Sequence, residues 1–236
     1  MGELFYSEHL NPEEPLLLSA EDSRHAVRVM RLKPGDRLEI TDGKGMICTG
    51  IIEIDNPKSC QVRVTGTRIV EAPFYKNLHI AVAPTKNISR FEWFLEKATE
   101  TGVGKITPLI CKRSERKSVR TDRLLKILIS AMKQSKQSWL PELTAPEEFK
   151  SFVTRKFDGQ KFIPWISDES MPLLSKSLRQ GFPAVIIIGP EGDFSDEEII
   201  MARKSEFIPV SLGKNRLRTE TAALVSGLTF NFVNQS

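Results

Sequence analysis

Ala184-Val185-Ile186-Ile187-Ile188-Gly189-Pro190-Glu191-Gly192-Asp193-Phe194 is a run of five apolar residues that breaks at once into a bend holding two glycines and a proline. An uninterrupted short apolar run reads as a strand buried on both faces, as in a parallel sheet covered by helices. Ser195, with Glu198 three residues later, is a capping box that opens a helix to about Lys204. Strand, bend and helix in that order predict an α/β fold. Open α/β sheets bind ligands beyond the carboxyl ends of their strands, so Gly189 to Phe194 is expected to line a ligand site. The glycines let the backbone turn sharply near a small molecule, and Pro190 stiffens the turn.

Toward the C-terminus the arrangement recurs. Pro209 to Leu212 reads as a strand, and Ser211-Leu212-Gly213-Lys214-Asn215-Arg216-Leu217-Arg218-Thr219-Glu220-Thr221-Ala222 leads into a helix from about Thr219. Unpaired amides at a helix start, with close approach allowed at Gly213, suit the carboxylate or purine edge of a cofactor. Neither bend matches a G-x-G-x-x-G fingerprint or a Walker A loop, which disfavours dinucleotide and triphosphate binding.

Toward the N-terminus, strands alternate with helices. Leu78 to Ala83, Ile106 to Ile110 and Phe162 to Ile166 read as strands, and Ser89 to Thr101, Thr121 to Trp139 and Pro172 to Arg179 as helices. Before Glu71-Ala72-Pro73, which reads as a linker, the pattern is different. A helix over Ala20 to Leu32 is followed by the short alternating runs Arg37 to Thr41, Ile47 to Ile54 and Gln61 to Thr65, which predict a small β-barrel or sheet. The expected domains are therefore 1–72 and 73–236.

Composition narrows the function classes. With 40% hydrophobic and 27% charged residues, the chain is globular rather than disordered. No apolar run approaches the roughly 18 residues of a membrane span, and the N-terminal residues lack a signal-peptide pattern, so a cytoplasmic protein with no membrane partner is expected. Cys48, Cys60 and Cys111 are odd in number and lack C-x-x-C spacing, which argues against a disulfide framework and a zinc site; no metal is expected.

Residues 1–72 carry 9 Lys/Arg and 12 Asp/Glu, whereas 73–236 carry 25 and 18. The excess is concentrated between Lys112 and Lys136, where Arg113, Arg116, Arg123, Lys126 and Lys133 belong to a run of basic residues opposed only by Glu115 and Asp122. A solvated helix face explains such a stripe as readily as a polyanion does. The run of positive charge just before the helix, and the polar Gln134, Ser135, Gln137 and Ser138 at its end, favour RNA.

Gly189-Pro190-Glu191-Gly192, Leu212-Gly213 and Leu217-Arg218-Thr219-Glu220-Thr221-Ala222 together resemble the paired signatures of SPOUT methyltransferases. His25-Ala26-Val27-Arg28-Val29-Met30-Arg31 with Gly35-Asp36, Glu96 to Val103, and Gln134-Ser135 extend the resemblance to the RsmE family over nearly the whole chain. One departure is Lys133-Gln134-Ser135-Lys136-Gln137, where the family commonly has Glu-Gln-Ser followed closely by Arg.

The resemblance implies a C-terminal SPOUT α/β domain with a trefoil knot and an N-terminal PUA-like β-barrel. It implies a homodimer that transfers a methyl group from S-adenosylmethionine to the N3 position of a uridine in 16S ribosomal RNA, within the assembled 30S subunit. The cofactor would be held by Gly189, Glu191, Gly192, Leu212, Gly213, Leu217, Arg218 and Thr221. Arg218 is the candidate stabiliser of a uracil anion, because a guanidinium donates hydrogen bonds but is not a base at pH 7. Glu191 and Glu220 are alternative proton acceptors, and Glu220 can equally serve the helix dipole. His25, Arg28 and Arg31, spaced by three on one helix, are candidate RNA contacts together with Arg113, Arg116, Arg123, Lys126, Lys133 and Gln134; for His25 packing against the barrel is the competing explanation. Other readings are a SPOUT enzyme acting on another RNA position and a non-catalytic RNA-binding assembly factor.

Overall fold

The computed structural model describes residues 3–166 and 170–235. The chain forms two compact units, one of residues 1–72 with 129–140 and one of 73–128 with 141–236.

In the first unit, β1 (Leu4–Tyr6), β2 (Leu16–Leu17), β3 (Arg37–Thr41), β4 (Met46–Ile54) and β5 (Gln61–Ile69) form a five-stranded sheet in the order β1-β3-β4-β5-β2. Alternation puts Leu38, Ile40, Ile52 and Val62 on one face, where they are buried with Phe5 and Ala26. The helix expected over Ala20 to Leu32 is α1 (Ala20–Arg24) followed by a π-helical turn at His25–Val29, and Arg31 then adopts a φ of 60°. A stripe of apolar residues does not distinguish the wider turn from an α-turn. Ser23 anchors α1: its hydroxyl accepts from the Cys60 amide at 2.9 Å and donates to the Leu18 carbonyl at 3.1 Å.

The second unit contains β6 (Leu78–Val82), α2 (Ile88–Thr101), β7 (Lys105–Ile110), the first part of α3 (Thr121–Gln134), β8 (Glu142–Leu143), β9 (Glu147–Glu148), α4 (Phe149–Val153), β10 (Gln160–Pro164), α5 (Leu174–Ser177), β11 (Ala184–Ile188), α6 (Asp196–Lys204), β12 (Ile208–Val210) and α7 (Thr219–Asn234). Its sheet runs β12-β10-β11-β6-β7-β8, with β9 also on β7, and every pairing is parallel. All five residues of β11 are buried. Ala81, Leu109, Phe152, Ile163, Ile187 and Phe207 are buried in one apolar cluster. Asn231 of α7 donates to the carbonyls of Thr101 and Gly102 at 2.7 and 2.8 Å, which supplies partners at the end of α2.

β5 runs on to Ile69 rather than Thr65, and β12 is Ile208–Val210 rather than Pro209 to Leu212. Three further boundaries differ from the periodicity where a tertiary contact prevails. α3 stops at Gln134, not Trp139: Lys136 turns to a φ of 55°, and the Trp139 indole leaves the helix to donate to Val70 and Glu71 carbonyls, both at 3.1 Å. The helix expected over Pro172 to Arg179 shrinks to α5, since Pro172 and Leu174 bond instead to Ser211 at 2.8 and 2.9 Å. β10 begins two residues early, where Gln160 pairs with Ala184, and ends at Pro164, which releases Trp165 and Ile166 from the sheet. The short β1, β2, β8, β9 and α4 give too little pattern to be read in advance. Among the described residues no helix is long and apolar enough to cross a membrane, and the three cysteines are buried and unpaired.

Candidate active site

Beyond the carboxyl ends of β10 and β11 the second unit encloses a cavity of about 1040 Å³. Four segments contribute to its wall: Pro164 to Ile166 after β10, Ser170, Met171 and Leu173 ahead of α5, Ile188 to Glu191 with Asp193 after β11, and Ser211 to Thr219 leading into α7. They are joined by specific bonds. The Thr219 hydroxyl donates to the Gly189 carbonyl at 3.1 Å, tying the start of α7 to the bend after β11. Asp193, at a φ of 59°, accepts from the Ile166 amide at 2.9 Å through Oδ2 and from the Phe194 amide at 2.8 Å through Oδ1. The two bends that the sequence marks separately thus form one site.

Gly189, Glu191, Leu212, Gly213, Leu217 and Arg218 line this cavity; Gly192, Glu220 and Thr221 do not. Gly213 has a φ of 129° and open space where a Cβ would stand. The Ser211 hydroxyl accepts from the Gly213 amide at 3.2 Å and lies 3.1 Å from its carbonyl, which holds the unusual conformation. Gly189 is confined sterically, since a Cβ there would lie 3.1 Å from the Phe194 ring. At Gly192 a Cβ would make only ordinary contact with the Arg113 side chain, at 3.5 Å. Gly213→Ala is therefore expected to weaken cofactor binding by about tenfold or more, matching a backbone cost of roughly 1–3 kcal/mol, while Gly192→Ala changes it by less than about threefold. Titration calorimetry of both variants checks the contrast, and equal losses would contradict it.

Glu191 is exposed and its Oε1 accepts from the Lys86 amide at 2.9 Å, so it joins the loop after β6 to the cavity wall. Glu220 is buried on the first turn of α7, its Oε1 4.0 Å from the Arg90 Nε, and its Oε2 has no hydrogen-bond partner among the described residues. Arg218 is exposed, lines the cavity and makes no ion pair among the described residues.

Several basic residues singled out in the sequence have partners within the chain. Arg113 Nη1 donates to the Gly192 and Phe194 carbonyls, both at 3.0 Å, and Arg116 donates to those of Thr85 and Lys86 at 3.2 and 2.9 Å. Arg123 pairs with the largely buried Glu92 at 2.7 Å. Lys133 bonds to buried Asp22 at 2.7 Å, and His25 Nε2 lies 3.0 Å from Glu3 Oε2 beside the Phe5 ring. Arg28, Arg31, Lys126 and Gln134 are exposed. Sequence reading missed Trp165 and Ile166 as wall residues. Their signal was the end of a strand whose neighbour carries the bend, but the expected strand ran through Ile166 and hid it.

A parallel sheet with a cavity at its strand ends, formed by a knuckle of two glycine-bearing bends, defines a cofactor-binding α/β enzyme. The family model for the RNA methyltransferase domain matches residues 71–229, and that for the RNA methyltransferase PUA domain matches residues 18–65. The chain is 31% identical to ribosomal RNA small subunit methyltransferase E of Synechocystis sp., over 95% of this chain and 75% of that one. Two solved structures superpose along 99% of this chain and 98% of their own. One, from Porphyromonas gingivalis and assigned as an rRNA-methyltransferase, has a TM-score of 0.92 at 35% identity; the other, assigned as a methyltransferase from Legionella pneumophila and solved with the cofactor SAM, has 0.88 at 30%. The class is therefore that of the RNA methyltransferases with an N-terminal PUA domain. Within it, the chain belongs to the RsmE family of SPOUT methyltransferases, the family of ribosomal RNA small subunit methyltransferase E.

Proposed function

We propose that this protein methylates N3 of a uridine in small-subunit ribosomal RNA with S-adenosylmethionine as methyl donor, acting in the cytoplasm on RNA within the 30S subunit. The observation that carries the reading is the bond from Thr219 to the Gly189 carbonyl, which makes one cavity of the two signature bends, with Arg218 among its wall residues.

The residues present fit that cofactor. A cavity of about 1040 Å³ is at the upper end of small-molecule sites, with room for an adenosyl group and an incoming base. Glu191 and Asp193 line it as carboxylates suited to a cationic sulfonium, beside apolar residues such as Trp165, Leu212 and Leu217 and the polar Lys214, Asn215 and Arg216. When bound, the cofactor supplies an electrophilic methyl group. The chain must supply geometry and charge. Holding the uridine nitrogen in line with the methyl group removes much of the entropic barrier. Uracil N3 carries a proton at neutral pH; as that proton leaves, negative charge spreads to the ring carbonyl oxygens, and Arg218 is placed to donate hydrogen bonds to one of them. Of the two candidate carboxylates, Glu191 is favoured as proton acceptor because it lines the cavity, whereas Glu220 is turned away toward Arg90.

The chain path supports a trefoil knot. From β12 at the sheet edge, residues 211–218 run past the ends of β10 and β11, bonded to Pro172 and Leu174 of the intervening connection, before α7 packs on β6 and β11. A homodimer through α2 and α7 is supported by Trp93 and Phe232, which these helices leave 42% and 67% exposed.

For RNA, the exposed Arg28, Arg31 and Lys126 are the preferred phosphate contacts, with Gln134 as a polar contact; Arg113, Arg116, Arg123, Lys133 and His25 have their intramolecular roles to fill first. Removing any one of the three exposed cations is expected to reduce the slope of log affinity against log salt by about 0.7–0.9. Filter binding between low and moderate salt measures it, and an unchanged slope removes that residue from the interface. The function itself is tested by incubating the protein with methyl-labelled cofactor and either naked ribosomal RNA or intact small subunits, then digesting the RNA for mass spectrometry. N3-methyluridine from the subunits is the expected product; label at another base or a ribose, or none, refutes the assignment.

A further inference from the structure

We infer that Arg113 is a positioning residue for the cofactor pocket rather than a contact for RNA; the inference rests on the cofactor reading above. Its place in the basic run suggests a phosphate ligand, but its side chain lies along the back of the bend after β11. Nη1 donates to both the Gly192 and Phe194 carbonyls at 3.0 Å, spanning the two residues on either side of Asp193. Asp193 is the wall residue that takes a left-handed φ and holds the Ile166 amide, so the guanidinium clasps the backbone at the point where the bend is conformationally least free. Without the clasp, two carbonyls lose a charged donor and the Asp193 conformation loses its support.

Neighbouring bonds belong to the same clasp. The Lys112 amide donates at 2.8 Å to Glu198 Oε1, while Glu198 Oε2 closes the capping box of α6 on the Ser195 amide at 2.8 Å. Arg116 grips the Thr85 and Lys86 carbonyls, and the Lys86 amide is held by Glu191 of the cavity wall. The segment after β7 thus binds the loops after β6 and β11 from behind, and Arg113 is its contact with the bend itself. Because a single nitrogen makes both bonds, lysine can replace it in kind. Methionine keeps much of the aliphatic stem that packs on Gly192 but donates nothing.

The test compares Arg113→Met and Arg113→Lys in the full-length protein. Calorimetry with S-adenosylmethionine alone, without RNA, is expected to show affinity about tenfold lower for Arg113→Met and restored to within about threefold for Arg113→Lys, in line with a hydrogen bond to a charged group. The salt slope of RNA binding should be unchanged in both variants. Cofactor affinity unchanged in Arg113→Met, with the RNA salt slope reduced by about 0.7–0.9, would make Arg113 a phosphate contact and overturn the inference. Equal loss in both variants together with a lowered Tm would also overturn it, by showing a general folding role. Failure of the wild-type protein to bind the cofactor is a separate result, since it refutes the pocket and not the clasp.

Discussion

Arg218→Ala is expected to lower kcat by about 10²–10³ while cofactor affinity stays within about threefold of wild type. The magnitude follows from removing one preorganised donor to a developing oxyanion. Arg218 caps the start of α7 through its backbone, whose carbonyl accepts from the Ala222 amide at 2.8 Å, so truncating the side chain leaves the helix start in place. Its guanidinium has no ion pair among the described residues to hold it in a structural role, and Arg218 lines the cavity with Leu217 and Thr219. A donor needed only when the uracil anion forms should depress kcat and kcat/KM equally. Arg218→Lys keeps the charge but loses the planar fork, and is expected to recover only part of the rate. Single-turnover kinetics on intact subunits, alongside calorimetry, separates the steps. Near-normal turnover by Arg218→Ala would remove this residue from the chemistry.

Acid is expected to destabilise the second unit through His79, on β6 at the middle of the parallel sheet. Burial lowers its pKa from 6.5 to about 3, and the positive charges of Lys105 and Arg155 push it the same way. Its Nε2 lies 2.9 Å from the Thr107 hydroxyl, and its ring packs edge-on against Phe152 and Phe157. The folded protein therefore keeps this imidazole neutral at pH values where the unfolded chain protonates it. Above pH 6.5 both states are neutral and His79 adds no pH dependence. Below 6.5 the unfolded state binds the extra proton, so stability falls by about 1.4 kcal/mol per pH unit until about pH 3, or about 2 kcal/mol by pH 5. Denaturant titrations at pH 7 and pH 5 measure the loss; His79→Gln, which cannot titrate, should be less stable at pH 7 but lose about 2 kcal/mol less on acidification. The same acid sensitivity in that variant would place the cause elsewhere.

Much of the site was legible because its parts are local. A five-residue apolar run, a glycine-bearing bend and a capping box each leave a signature within ten residues, and β11, the bend after it and α6 lie where that pattern places them. Gly213 was legible for the same reason: only glycine sits comfortably at its φ of 129°. The basic run was legible as charge but not as purpose. Arg113, Arg116 and Arg123 look alike in the sequence, yet each has a different partner: the back of a bend, the carbonyls of a loop, and Glu92. Their partners lie tens of residues away, and no spacing rule joins them.

By itself the chain determined the parallel sheet, the order of its main elements, the two glycine-bearing bends and, through the resemblance of those bends, the family. These follow from side-chain periodicity and backbone freedom, which act over a few residues. Only the tertiary structure decided that Trp165 and Ile166 complete the cavity, that Glu191 lines it while Glu220 faces α2, and that α3 ends at Gln134 so that Trp139 can reach Val70. Each of those outcomes is a competition between a local preference and a contact made by residues distant in the chain, and its result exists only once the chain has folded.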